Sequence, residues 1–486
     1  MSVATTPRTL ANHIGGAWTP SAATEHLEDR DPAFGDPLAR VPLSTATDVD
    51  AAVQAAKAAQ KEWRNVPAPV RARALMRLRD TLDRHRSEIA ELVSRDMGKT
   101  LDDATAEVGR GIESVEAAIA MPHQLKGENL EDVANGVDVR MTRQPVGVVA
   151  AITPFNFPAM IPLWFLPYAV GAGNAFVLKP SEQDPLAPER IIELAAPLFP
   201  DGLINLVHGA HDVVNALLRH DDVDAISFVG SAKTARYIAE TATTNGKRVQ
   251  ALGGAKNSMV IMPDADPDLM LGGVLGSAFG AAGQRCLAGS IAVLVGTPAQ
   301  QDATRDRLTQ AAAELRVGAG LDADTDVCPV VSSTARDRLV DDITNAEHDG
   351  ITIALDGRGD AGPGGCRLAP TILDDIPAGH RVLTDELFGP VLSLVRAPDL
   401  ATATDLVNQS RYGNASVIFT ESGGAARDYA RNVEAGMVGV NVGVAAPVAW
   451  FPFSGWKDSI DGDLHANGTD AIDFYTRKKV VTQRWA

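Results

Sequence analysis

At 486 residues the chain is long enough for two or three domains, and a composition 45% hydrophobic and 22% charged is that of a globular protein in water. Its 44 basic and 62 acidic residues give a formal net charge of −18. An anionic surface repels phosphate backbones and anionic lipid, which argues against nucleic-acid and membrane-surface partners. The three cysteines, Cys286, Cys328 and Cys366, are odd in number and widely spaced. They exclude a disulfide framework and fit a reducing, cytoplasmic compartment. Met1 to Leu10 has no apolar stretch that would serve as a secretory signal.

In chain order, Thr47 followed by Asp50 resembles a capping box and opens a helix that runs to about Trp63. A second helix is expected from Val70 to Asp96. A third carries Val108, Ile112, Val115 and Ile119 on one face, with Arg110 on the opposite, solvated face. Gln144 to Leu178 holds no charged residue and is long enough to cross a bilayer. Five prolines (145, 154, 158, 162 and 167) interrupt it, and each removes a backbone donor that lipid cannot replace. The segment therefore reads as buried strand, loop, short helix and buried strand. Further buried strands are expected at 225–230, 258–262, 291–296 and 415–420. This alternation with helices is the pattern of parallel sheets covered on both faces. The tail, Phe474 to Gln483, is β-branched and basic and reads as a strand outside that alternation, of the kind that pairs with another subunit.

Several motifs fail their structural context. Gly357, Gly359 and Gly362 spell a dinucleotide fingerprint, but the chain continues into PGGC instead of a helix, so it reads as a loop. Gly98-Lys99-Thr100 is half of a phosphate loop that lacks its first glycine, with Val93 in that place. His208 and His211 have no third metal partner and read as loop histidines. No zinc signature is present, so no metal is expected. Cys286 stands apart from the other cysteines. It ends the small-residue stretch GSAFGAAGQRC (276–286), beside Arg285, which could lower its thiol pKa. Context leaves nucleophile and small core residue as open alternatives.

TPFNFP (153–158), VLKPSE (177–182), FVGS (228–231), GGAKN (253–257), FGAAGQRC (279–286) and ELFGPV (386–391) stand in the order found in aldehyde dehydrogenases, which the chain resembles over residues 10–486. EVGRGIESVE (107–116), PFNFPAMIPLW (154–164) and the tail from GWKDS (455–459) resemble the CoA-acylating methylmalonate-semialdehyde dehydrogenase branch of that family. The resemblance implies the α/β aldehyde dehydrogenase fold. Its parts would be a parallel-sheet NAD-binding domain (1–123 and 147–252), a catalytic domain (253–465) and a β arm for oligomerisation (124–146 and 466–486).

It also implies roles for single residues. Cys286 would attack the aldehyde and become a thioester after hydride leaves to NAD. The Asn156 amide and the Cys286 backbone N–H would face the oxyanion. Thr153, Phe155, Lys179, Glu182, Gln183, Ser231, Gly253, Glu386 and Phe388 would line the NAD site. Lys179 and Glu182 would hold the adenosine ribose, Glu386 the nicotinamide ribose, and Phe388 would pack near the ring. A carboxylate at Glu182 repels a 2′-phosphate and so favours NAD over NADP. Arg110 and Arg285 would clamp the carboxylate of methylmalonate or malonate semialdehyde. Hydrolytic members carry glutamate in the motif ELGG, where this chain has Ala251, so the acyl group would pass to coenzyme A instead of water. Ser258 and the run Val442 to Ala445 depart from the branch, next to the expected substrate site. The expected partners are thus the small aldehyde, CoA and further copies of the chain, as a dimer or tetramer. A hydrolytic dehydrogenase for another aldehyde and a non-catalytic paralogue are the alternatives.

Overall fold

The computed structural model describes residues 7–485. Residues 1–6, which open both the expected first domain and the segment read for a signal, lie outside the described residues, as does Ala486 at the end of the expected arm.

Five parallel strands form the centre of an eight-stranded sheet, in the order Arg248–Leu252, Ala225–Val229, Val148–Ile152, Ala175–Lys179 and Ile204–Leu206. The three at 148–152, 175–179 and 225–229 are buried along their whole length, because helices cover both sides of the sheet. The chain runs outward from Val148–Ile152 through two neighbours, then returns to place Ala225–Val229 on its other side. The order of winding therefore reverses between these two strands. In open α/β sheets such a switch leaves a crevice at the carboxyl ends, here just past Ile152 and Val229. Ile460–Asp461 pairs antiparallel at one edge, and Asn12–Ile14 with Ala17–Thr19 close the other.

A seven-stranded sheet follows, in the order Thr352–Leu355, Thr371–Asp374, Val391–Ala397, Gly289–Val295, Asn257–Ile261, Ala415–Phe419 and Met437–Val440. Only its first pair is antiparallel. The tail strand Thr476–Arg484 leaves both sheets and pairs antiparallel with Val137–Pro145, which also carries Glu128–Ala134. Leu130, Val133, Val480 and Trp485 stand exposed on this three-stranded ribbon. The helix Gly468–Phe474 before it does not share that exposure. Its Ala471, Ile472 and Phe474 pack into the core of the first sheet, and Tyr475 beside them reaches Ser227 with its hydroxyl at 2.8 Å.

The charge-free segment is strand, loop, helix (Met160–Ala172) and strand, and is buried from Pro158 to Pro180. No helix among the described residues is long and apolar enough to cross a membrane. The glycine triplet 357–362 is loop, as read.

Three expectations need correction. The first long helix spans Ala46–Trp63, and its capping box is Thr45 with Asp48, two residues before the pair expected. The expected second helix is two, Ala68–Arg84 and Arg86–Met97, broken where His85 takes φ −105° and ψ 13°. His211 is not in a loop but is the first residue of the helix His211–Arg219, whereas His208 is buried in the loop ahead of it.

Candidate active site

The two sheets face each other through opposite ends. The loop after Val148–Ile152 leaves a carboxyl end and carries Thr153, Phe155 and Asn156. The loop before Gly289–Val295 enters an amino end and carries Arg285 and Cys286. Asn156 and Cys286 are therefore brought together from different sheets. The Asn156 side-chain amide donates to the Gln284 carbonyl at 2.8 Å, which occupies one of its two N–H bonds and leaves the other.

The cysteine loop is held in an uncommon shape. Ala281, Ala282 and Gly283 all have positive φ, at 49°, 53° and 69°. A left-handed run that includes two alanines persists only where its surroundings impose it. A Cβ on Gly283 would lie 2.3 Å from the Gly389 carbonyl oxygen, so glycine is required there. Asp103 accepts the Ala281 N–H at 3.2 Å, and the side-chain amides of Asn257 and Asn414 both donate to the Cys286 carbonyl at 2.9 Å.

Cys286 lines a cavity of about 280 Å³ together with Arg110, Arg285, Trp164 and Phe453. The thiol does not have the lowered pKa expected from its neighbour. Burial pushes it up to about 12, and the Glu386 carboxylate adds to the rise. The backbone N–H groups of Cys286 and Leu287 and the Arg285 charge oppose this, and are outweighed. Arg285 donates to Asp103 at 2.8 Å, and Arg110 to Glu113 at 2.8 Å. Both guanidiniums thus reach the cavity already paired. Arg110 is exposed on the helix Leu101–Ile119, away from Val108, Ile112 and Val115, but its open side is the cavity and not bulk surface alone.

The remaining expected residues line the switch crevice or stand beside it. The Thr153 N–H donates to the Lys179 carbonyl at 3.1 Å, and its buried hydroxyl has no partner. Lys179 donates to Glu182 at 2.7 Å. Gln183 lies exposed next to them, outside the cavity of Cys286. Ser231 caps the helix Ala232–Thr244, accepting the Thr234 N–H at 3.3 Å, so the free N–H groups of that helix open beside Gly253. Phe155 and Phe388 meet edge to face at 5.8 Å, and Phe388 holds a positive φ of 57°. Glu386 accepts the Ala255 N–H at 3.0 Å, and burial raises its carboxyl to about 7. An orphaned hydroxyl at the switch point, an acid–base pair past the next strand and an open helix N-terminus suit a dinucleotide with its ribose and pyrophosphate groups. Among the described residues no cluster of metal-ligating side chains occurs.

Sequence reasoning missed three charged residues that the fold buries here. Lys99, set aside as half a phosphate loop, is paired with Glu107 at 2.6 Å. Lys256 is buried without a partner near Glu386, and burial lowers its amine to about 8. For Glu107 the available signal was spacing. Asp103, Glu107, Arg110 and Ser114 recur at helical intervals on one stripe of Leu101–Ile119, and all four line the cavity.

The model of the family described as "Aldehyde dehydrogenase family" matches residues 18–481. A malonate-semialdehyde dehydrogenase of Geobacillus thermodenitrificans is 48% identical over 99% of this chain and 100% of its own. The crystal structure of a methylmalonate-semialdehyde dehydrogenase from Oceanimonas doudoroffii is 43% identical and covers 99% of both chains, with a TM-score of 0.96. A Sinorhizobium meliloti protein solved in complex with NAD is 41% identical over 99% of both chains, with a TM-score of 0.97. The fold, the order of the motifs and the paired loops around Cys286 thus have one origin: the chain belongs to the aldehyde dehydrogenase family.

Proposed function

We propose that the protein oxidises malonate or methylmalonate semialdehyde with NAD, loses the substrate carboxylate, and transfers the acyl group from Cys286 to coenzyme A. The reading rests on one observation above the rest: Cys286 shares its cavity with two guanidiniums, each held in place by a carboxylate and carrying further N–H groups for the carboxylate of a small aldehyde. The names of the relatives, for malonate semialdehyde and methylmalonate semialdehyde, point to the same substrate class.

The Cys286 thiol gives its proton to solvent in the cavity as its sulfur adds to the aldehyde carbon, and the free Asn156 N–H with the Cys286 backbone N–H receives the oxyanion. NAD, when bound, accepts the hydride. Lys179 and Glu182 would hold its adenosine ribose, the helix after Ser231 its pyrophosphate, and Glu386 its nicotinamide ribose. The chain is then left acylated on Cys286.

What happens next depends on a base. Ala251 offers only a methyl group where hydrolytic members place glutamate. The three carboxylates that line the cavity, Asp103, Glu107 and Glu113, are each paired with a cation (Arg285, Lys99 and Arg110). Without a glutamate at 251, water attack loses a base usually worth about 100- to 10,000-fold, and the thioester persists for a thiol. This disfavours the hydrolytic alternative.

The exposed apolar residues of the three-stranded ribbon suit contact with a further copy of the chain. Pre-steady-state NADH absorbance with malonate semialdehyde tests the reaction. A burst is expected, then a slow rate that CoA accelerates. A fast steady rate in CoA-free buffer, with free acid as product, would overturn the acyl transfer.

A further inference from the structure

Lys99 and Glu107 form the most deeply buried ion pair of the site, with side chains 1% and 0% exposed. Two apolar residues of similar volume would stabilise such a position as well or better, because desolvation of the charges consumes much of their attraction. Stability alone therefore gives no reason for the pair, and its contacts point elsewhere. The Lys99 amine donates to the Asn156 carbonyl at 2.7 Å and lies 4.2 Å from the centre of the Phe157 ring. Glu107 accepts the N–H of Ala159 at 2.8 Å and of Met160 at 3.1 Å through one oxygen, and binds Lys99 through the other. Three residues of the loop that carries the oxyanion amide (156, 157 and 159) and Met160, which opens the helix after it, are tied to this pair.

We infer that Lys99 and Glu107 are positioning residues for the Asn156 amide. The pair fixes the backbone at Asn156, the Gln284 carbonyl takes one amide N–H, and the second is left aimed at the oxyanion. Neither charge touches the reacting atoms. An oxyanion donor acts through placement within a fraction of an ångström, so a loop free to relax loses rate without losing ligand affinity. The inference rests on the aldehyde-oxidation reading but not on the semialdehyde or on CoA, so propanal suffices as substrate.

The test is the charge-balanced double variant Lys99→Met with Glu107→Gln, which strands no buried charge and keeps an acceptor for Ala159 and Met160. Single-turnover NADH formation from propanal should fall by about 100-fold, the loss typical of one oxyanion donor. NAD affinity and the thermal midpoint should stay near those of the parent. In an Asn156→Ala background the same changes should cost less than about threefold, since the donor they place is already gone. Glu107→Gln alone is the milder second variant. It keeps an acceptor for Ala159 and Met160 while removing the charge that faces Lys99, and should lose a smaller factor with the same dependence on Asn156. A loss that multiplies fully with Asn156→Ala, or a rate within threefold of the parent, would overturn the positioning role. Absence of NADH formation from any aldehyde by the parent protein would instead overturn the dehydrogenase reading itself.

Discussion

Arg285 and Arg110 should contribute unequally to binding of the substrate carboxylate, and the inequality can be worked from their surroundings. The Arg285 side chain is 17% exposed and its partner Asp103 31%, whereas Arg110 is 44% exposed. A charge pair at about 4 Å is worth roughly 4 kcal/mol at the effective dielectric near a protein surface, and about 1 kcal/mol in bulk water. Arg285 lies toward the first limit and Arg110 toward the second. Replacing Arg285 by Met should therefore lower kcat/KM for malonate semialdehyde by about 100-fold or more, and Arg110→Met by about fivefold. Asp103 would be left unpaired by the first change, so Arg285→Met with Asp103→Asn is the cleaner variant. The assay is NADH formation on malonate semialdehyde and on propanal, at low and at high salt. Propanal has no carboxylate, and its kcat/KM should move little. Salt should weaken the Arg110 contribution more than the Arg285 contribution, since screening acts on exposed charges. Equal losses on both substrates would refute the clamp and assign the arginines to the shape of the cysteine loop.

Cys286→Ala should abolish turnover while NAD still binds by calorimetry, because the thiol belongs to the aldehyde cavity and not to the crevice beyond Ile152 and Val229. Substantial remaining NADH formation would remove Cys286 from the chemistry. The Glu386 carboxyl, raised by burial from 4.5 to about 7, is ionised only above that pH. Its ability to accept ribose hydroxyls is thus present above about 7 and lost as pH falls. NAD affinity should drop on acidification through pH 7, and Glu386→Gln should flatten that profile; a parent profile without a break between pH 6 and 8 would contradict it.

How far the sequence was legible follows from the range over which each property is set. The strands at 148–152, 175–179 and 225–229 are buried on both faces, so their apolar runs identify them without knowledge of neighbours. The break at His85 has no such mark, for neither glycine nor proline stands there and the helical periodicity continues across it. Arg110 reads as a surface residue because the helix alone does not reveal that a cavity lies over its polar stripe. The Cys286 thiol is the sharpest case. The adjacent Arg285 pulls its pKa down, as local context suggests, but burial by the whole fold and a carboxylate 100 residues further along the chain push it up. Local sequence carries the sign of the smaller effect.

The contacts that matter most for the chemistry cross between segments that sequence spacing does not relate. Asn156 meets Gln284, Arg285 meets Asp103, and Lys99 meets the loop of Asn156, across separations of 128, 182 and 57 residues. Two of these three join the end of one sheet to the beginning of the other, or the helix between. Each sheet can therefore be built from its own apolar strands, with the site completed only when the sheets dock. Damage confined to these contacts should appear first in the rate of hydride transfer and later, if at all, in the unfolding midpoint, since the cores that carry stability lie behind the strands and not at their ends.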